Sequence, residues 1–370
     1  MPPNDETPSR LGRLGAFLRG GWRGGAREVA AHSPADQPRA HVVLLDGTLS
    51  SLEPGFETSI GLIYRLLEAQ DRHGLHYEPG IAWRGWRNAP EVAAGVGINR
   101  QIRRAYAWLV EVYRPGDTIW LLGYSRGAYA VRALSGMIDR VGLLTPEHAT
   151  IGHVLRAYEH YRNDPTRAEA RSFAAKYCHP KVRIRAVGVF DTVQAVGVRA
   201  PLIWRAFPEV HAFRSHRLGA SVDYGFHAMA LDETRRAYAL DRWRTDGDRI
   251  DHIEQVWFRG THGDLGGQLR GLKKARPRAN VPLVWMLEQV ERVGLVLPPD
   301  WADRFETDGT APSAGSWRGV GGLFLTRVRR KVGLDPSESL HPTALGHRAA
   351  GKLRTWARPS EEAARAARSR

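Results

Sequence analysis

Cysteine is nearly absent. Cys178 stands alone among 370 residues, so no internal disulfide can form, and nothing has the paired Cys or Cys/His spacing of a structural zinc site. That usage fits a reducing compartment. Also missing is any apolar run approaching the ~20 residues that span a bilayer. Residues 1–40 have no apolar signal core, being broken by Gly20, Gly21, Gly24 and Gly25. These absences lead to the expectation of a soluble, cytoplasmic protein whose membrane contact, if any, is peripheral. Acidic residues are in the minority too, with 39 Asp and Glu against 54 Lys and Arg and a net charge of +15. Such an excess attracts anions. The arginines are spread along the chain without a nucleic-acid-binding motif, so nucleic acid is not expected and an anionic membrane surface is the macromolecular partner the charge favours. None of these features encodes an oligomeric state.

What is present is material for a core: 42% of residues are hydrophobic and 12 are Trp, enough for one large α/β domain. Residues 1–38, rich in Gly, Arg, Pro and Ser, read as a disordered basic leader in which Arg10–Arg19 can make one short amphipathic turn. Residues 39–298 alternate short apolar runs with helical periodicity, the signature of parallel strands and crossover helices. Residues 299–370 form an extension, Gly/Ser-rich over Asp308–Gly322 and basic over Arg327–Lys331. It is expected to pack partly on the domain and fray after Glu361. Strands are predicted at His41–Leu45, Thr118–Leu122, Val182–Phe190 and Ile253–Phe258, and helices at Ser59–Gln70, Ile98–Tyr113 and Val281–Val293. The fold class expected is α/β, α/β-hydrolase-like, with a mostly parallel central sheet flanked by helices.

Gly123-Tyr124-Ser125-Arg126-Gly127 is G-x-S-x-G, a pattern that chance produces often. Here it follows an apolar strand and opens a helix whose Ala128, Val131, Leu134 and Ile138 share a face, which is the strand, sharp turn and helix of a nucleophile elbow. Such a turn lifts the Ser125 hydroxyl out of the sheet and tolerates only small neighbours. A serine needs a base and an acid to orient that base. Asp191 at the end of VRIRAVGVF and His262 after IEQVWFRG satisfy the order Ser, Asp, His at strand ends. Asp232 is the rival acid, and His227, His252 and His341 are rival bases. The oxyanion donors expected are the amide of Arg126 and one from Gly47 or Thr48 in the loop after the first strand. Asp46, Asp264 and His341 are candidates for accessory roles.

Five blocks in order carry a resemblance: Asp46-Gly47-Thr48, GYSRGAYAVRALSGMIDRVGLL from Gly123, VFDTVQAVGV around Asp191, HAMALDETRRAY from His227 and EQVWFRGTHGDLGG from Glu254. Over His41–Leu295 the chain resembles the domain of unknown function 2235 family, an α/β-hydrolase group that includes the catalytic domain of type VI secretion phospholipase effectors. The resemblance implies a triad of Ser125, Asp191 and His262, acting on carboxylic esters of lipids or phospholipids without a cofactor. This chain departs from the family pattern at Gly263, where a serine is usual, and at Leu49, where a tryptophan is frequent. It also lacks the long C-terminal extension of the secreted effectors, so a toxin role does not follow. The Asp46–Leu49 loop is similar to a haloacid dehalogenase loop as well, but that loop needs an aspartate where Leu44 stands. The remaining alternatives are a metal-dependent hydrolase using Asp46, His262 and Asp264, and a non-catalytic member of the fold.

Overall fold

The computed structural model describes residues 38–70, 72–80, 96–193, 216–245, 249–317, 321–322, 324–351 and 353–357. The basic turn Arg10–Arg19, the apolar stretch Pro201–Phe207 and the polar end from Glu361 lie outside the described residues. The described strands are β1 (Ala40–Leu45), β2 (Gly74–Glu78), β3 (Thr118–Tyr124), β4 (Ile184–Phe190), β5 (Val222–Ala230), β6 (Ile253–Phe258) and β7 (Glu338–Leu340), paired in parallel throughout. Their order is β2-β1-β3-β4-β5-β6-β7. From β1 the chain steps outward to β2, then returns to the far side of β1 and winds steadily to β7. The reversal opens a crevice at the C-terminal ends of β1 and β3, where open parallel sheets bind their ligands.

Alternation along the central strands sorts the core into two layers. Val43, Leu45, Leu121 and Val187 face one side, where α2 (Val96–Val112), α3 (Arg126–Val141), α4 (Ile151–Asn163) and α5 (Ala168–Tyr177) cover them. Val42, Leu44, Trp120 and Leu122 face the other side, under α1 (Ser59–Glu68) and α7 (Arg276–Arg292). Helix α1 starts at Ser59 because the Thr58 side chain accepts the Gly61 amide. Among the described residues no helix is long and apolar enough to cross a membrane.

The expected α/β architecture is present, and the predicted strands and helices fall within a few residues of the observed ones. The largest shift is at α7, which begins at Arg276 rather than Val281. Pro277 sits in its first turn, where an absent N–H costs nothing. Pro282 lies inside the helix and removes a backbone bond, but Leu283, Met286, Leu287 and Val290 around it are fully buried and hold the helix together. Sequence periodicity missed β2 and β7, which are short, and β5, whose alternation is broken by Gly225 and His227. The segment after residue 298 is part of this sheet: β7 pairs with β6 through Gln255, Val256 and Trp257.

Candidate active site

Ser125 caps α3 with φ 58° and ψ −117°, a left-handed conformation that a non-glycine residue adopts only when its surroundings impose it. The imposition is visible. A Cβ on Gly127 would lie 2.0 Å from the Leu45 carbonyl oxygen, and one on Gly123 would lie 2.6 Å from the Gly127 oxygen, so strand, helix and β1 meet backbone to backbone. The Ser125 amide donates to the Phe190 carbonyl at 3.0 Å, which ties the turn to the end of β4.

Three side chains converge at that edge. Oγ of Ser125 lies 2.8 Å from Nε2 of His262, and Nδ1 of His262 lies 2.6 Å from Oδ2 of Asp191. Asp191 directly follows β4 and is also left-handed, with φ 46°. His262 opens the one-turn helix α6 (His262–Leu265) just after β6. All three are buried. Burial alone would push the Asp191 carboxyl up, but the guanidinium of Arg330 and the His262 contact overcome it and hold the group well below the usual carboxylate range. An ionised Asp191 can only accept, so Nδ1 carries the imidazole proton and Nε2 is left to accept from the serine. Burial lowers the His262 imidazolium below its ordinary 6.5 against the opposing pull of Asp191, leaving the ring neutral at physiological pH.

The ring is clamped on both faces. Tyr124 lies 4.9 Å away at 32° and donates its hydroxyl to the His262 carbonyl, and Tyr238 meets the ring edge-on at 4.7 Å. Glu233 Oε2 accepts the His262 amide at 3.2 Å and is itself paired with Arg235 at 2.6 Å. Beside His262 opens a cavity of about 180 Å³, walled by Arg235, Tyr238, Gly263, Gln268, Leu269 and Leu272.

Other expected residues are placed elsewhere or do something different. Asp232 binds the Gly260 amide and His347 rather than His262, and its neighbour Glu233 is the carboxylate that accepts the His262 backbone amide. His227 is buried in β5, where Thr192 donates to its Nε2, and burial lowers its pKa to about 3. His252 binds the Asp223 carbonyl at the entrance to β6, the far end of the strand from the elbow. His341 stacks between Phe258 and Trp356 and bonds Thr343 beside the edge strand, rather than bonding Ser125, Asp191 or His262.

Asp46 is fully buried under the loop after β1. It accepts from Gly47, Thr58 and Tyr77, and burial pushes it up to about 6 against those bonds. Asp264 closes a capping box with Thr261 and takes bonds from Ser313 and Ala314. Both carboxylates are thus committed to loop geometry. The metal alternative of Asp46, His262 and Asp264 fails on this ground, and among the described residues no cluster of three or more His, Cys, Asp or Glu could hold an ion. The expectation for Gly47 changes as well. Its amide donates to Asp46 Oδ1 at 2.7 Å, so Arg126, the first residue of α3, and Thr48 remain as the oxyanion-donor candidates. At Gly263, a side chain would crowd the Gln268 carbonyl at 3.0 Å, which matches the departure from the family serine there.

A family model described as the catalytic domain of type VI secretion system Tle1-like phospholipase effectors matches residues 39–289, more than half of the chain. The protein belongs to that family. Among curated proteins, an uncharacterized protein of Saccharomyces cerevisiae is 30% identical over 241 residues, 57% of this chain and 34% of that protein. The chain therefore spans about a third of that relative's length. Solved structures give weaker likeness. An uncharacterized protein from Pseudomonas aeruginosa is 15% identical with a TM-score of 0.41, covering 74% of this chain and 50% of that one. The Tle1 effector bound to the VgrG spike is 16% identical with a TM-score of 0.31, covering 66% and 57%.

Proposed function

We propose that the protein is a serine hydrolase that cleaves carboxylic esters, with acyl esters of lipids or phospholipids as its substrate class. The observation that carries the reading is the hydrogen-bonded series Ser125, His262, Asp191 at a strained strand-to-helix turn. Oγ of Ser125 attacks the ester carbonyl carbon as its proton passes to Nε2 of His262. Asp191 keeps the imidazole in the accepting tautomer and stabilises the imidazolium that forms. The oxyanion is met by the Arg126 amide at the start of α3, a helix terminus that favours negative charge, together with Thr48. Collapse expels the alcohol, which takes the proton from Nε2, and water then repeats the sequence on the acyl-enzyme.

Family membership supports a lipid substrate, and so does the shape of the rim. Leu49 and Phe56 in the loop after β1, and Trp317 and Leu325 beyond α7, are exposed large apolar side chains. They sit on or beside segments that touch the cavity: Gln268 donates to the Thr48 carbonyl, and Phe56 borders Gly271. An apolar rim on a protein of net charge +15 suits an anionic lipid surface. Reaction with a fluorophosphonate tests the chemistry, with a single label on Ser125 expected and none in Ser125→Ala; labelling that persists in that variant would sink the proposal. Hydrolysis of vesicles with and without anionic lipid, against short soluble esters, tests the substrate. Indifference to vesicles at every salt concentration would leave a general carboxylesterase.

A further inference from the structure

Arg330 lies 139 residues after Asp191 and beyond the stretch that the family model matches. In the sequence it is one of several cations in the basic run Arg327–Lys331. In the structure its side chain is 6% exposed and straddles the acid. Nη1 donates to Asp191 Oδ1 and, at 2.8 Å, to the Ala230 carbonyl; Nη2 donates to Asp191 Oδ2 at 3.0 Å and to the Tyr238 carbonyl at 2.8 Å. The guanidinium thus joins the acid to the end of β5 and to the turn that carries Tyr238, which in turn packs on His262. On the reading of Ser125, Asp191 and His262 as a triad, we propose that Arg330 is a positioning residue of the reaction, holding the Asp191 carboxylate in register with His262 and tuning the basicity of that pair.

Two physical effects follow from one contact. The first is geometric. Without Arg330 each carboxylate oxygen would keep a single partner, the Ala230 amide on Oδ1 and the imidazole on Oδ2, so two bonds instead of four would hold the torsion about the bond that joins it to the chain. A planar fork on both oxygens fixes that torsion, which a point charge such as Lys cannot do. The second is electrostatic. A buried cation on Asp191 cancels part of the field that favours imidazolium, so the Asp191–His262 pair takes up its extra proton at lower pH. The other charged or titratable groups facing the pair do not duplicate this. Glu233 and Arg235 neutralise each other beneath the His262 amide. Tyr124 and Tyr238 flank the ring, Ser125 is its partner, and Asp264 on α6 is tied to Thr261 and Ser313. On the acid's side His227 stays neutral, with Arg132 of α3 behind it paired to Asp241, and Asp46 lies beyond Tyr124 under its own three donors.

The test uses the full chain with Arg330→Met, which removes fork and charge, and Arg330→Lys, which removes the fork alone. Fluorophosphonate labelling rate and kcat/KM on a short soluble ester are followed from pH 5 to 9, with thermal unfolding as a control. For Arg330→Met the acid limb should move up by about one pH unit and the plateau should fall by about 10²-fold. For Arg330→Lys the limb should stay near the wild-type position while the plateau falls about tenfold. A plateau loss in Arg330→Met with an unmoved acid limb would mean a merely structural role and overturn the inference. Wild-type behaviour of either variant would also overturn it. Should Arg330→Met not fold, Arg330→Gln, uncharged and closer in shape, takes its place under the same criteria: a lowered plateau with the acid limb moved up supports the inference, and an unmoved limb or an undiminished plateau defeats it. Failure of the triad reading is separable, because then the wild type itself would show no label dependent on Ser125.

Discussion

Around Ser125 the chain is held by backbone: two glycines pressed against carbonyls, an amide bonded across to β4, and a helix start with no side-chain cap. Around Asp191 and His262 it is held by side chains, with Arg330, Glu233, Arg235, Asp264 and two tyrosines supplying hydrogen bonds, ion pairs and ring contacts. On the proposed triad reading, the contrast follows from what each half must do. A nucleophile has to stand clear of its surroundings, so its support comes from below. A base and its acid must keep one orientation while charge moves between them, which calls for partners of defined sign at defined atoms.

That comparison can be broken by substitution. Ser125→Ala should lower kcat by about 10⁶-fold and abolish fluorophosphonate labelling, with unfolding unchanged. A variant that retained measurable esterase activity would place the chemistry elsewhere. Asp191→Asn should cost about 10⁴-fold, since the turn and the oxyanion donors survive while the imidazole loses its fixed tautomer. If Asp232→Asn proved equally damaging, the assignment of the acid would be wrong. On the backbone-held side the expected penalty is stability: Gly127→Ala forces β1 and α3 apart and should cost about 3 kcal/mol or more, read as a large drop in Tm. A well-folded Gly127→Ala protein would contradict the close approach.

Subtler effects sharpen the side-chain half. Asp264→Asn keeps the shape but not the charge of the group that anchors α6, and should lower kcat about tenfold while costing about 1–3 kcal/mol. A change in stability without any change in rate would detach α6 from the positioning of His262. The pH dependence carries its own sign. His262 is buried with its imidazolium disfavoured, below 6.5, so the acid limb of kcat/KM should fall below that value. The same group contributes stability that is present above its unfolded pKa and lost as pH falls through the lower folded one. An acid limb at pH 7 or higher would show that the field of Asp191 outweighs burial.

The two halves were also unequally legible. Glycines at 123 and 127, a serine between them and an apolar strand before them state the elbow locally, because the steric demand acts on adjacent residues. Asp191 and His262 could be chosen because strand ends are recognisable. Their supports could not. Glu233 stood next to the rival Asp232 with nothing in the pattern to prefer it, and Arg330 was one cation among 54 Lys and Arg residues. Nor does periodicity reveal that Asp46 is buried and takes the amide of Gly47, one of the two alternative donors in that loop. Sequence spacing encodes what neighbours along the chain must do. Pairings that close over a hundred residues become visible only when the sheet is assembled.

The distance between Asp191 and Arg330 also has a meaning in time. At about 5–20 residues per second, the ribosome takes on the order of ten seconds to add the 139 residues that separate acid from cation. During that interval the strands from β1 to β6 can be complete while the acid still waits for its fork, and β7 has yet to pair with β6. On the proposed triad reading, a nascent chain would therefore present a formed elbow before it possessed a fully poised base, and hydrolytic competence would arrive only once the segment that carries Arg330 docks.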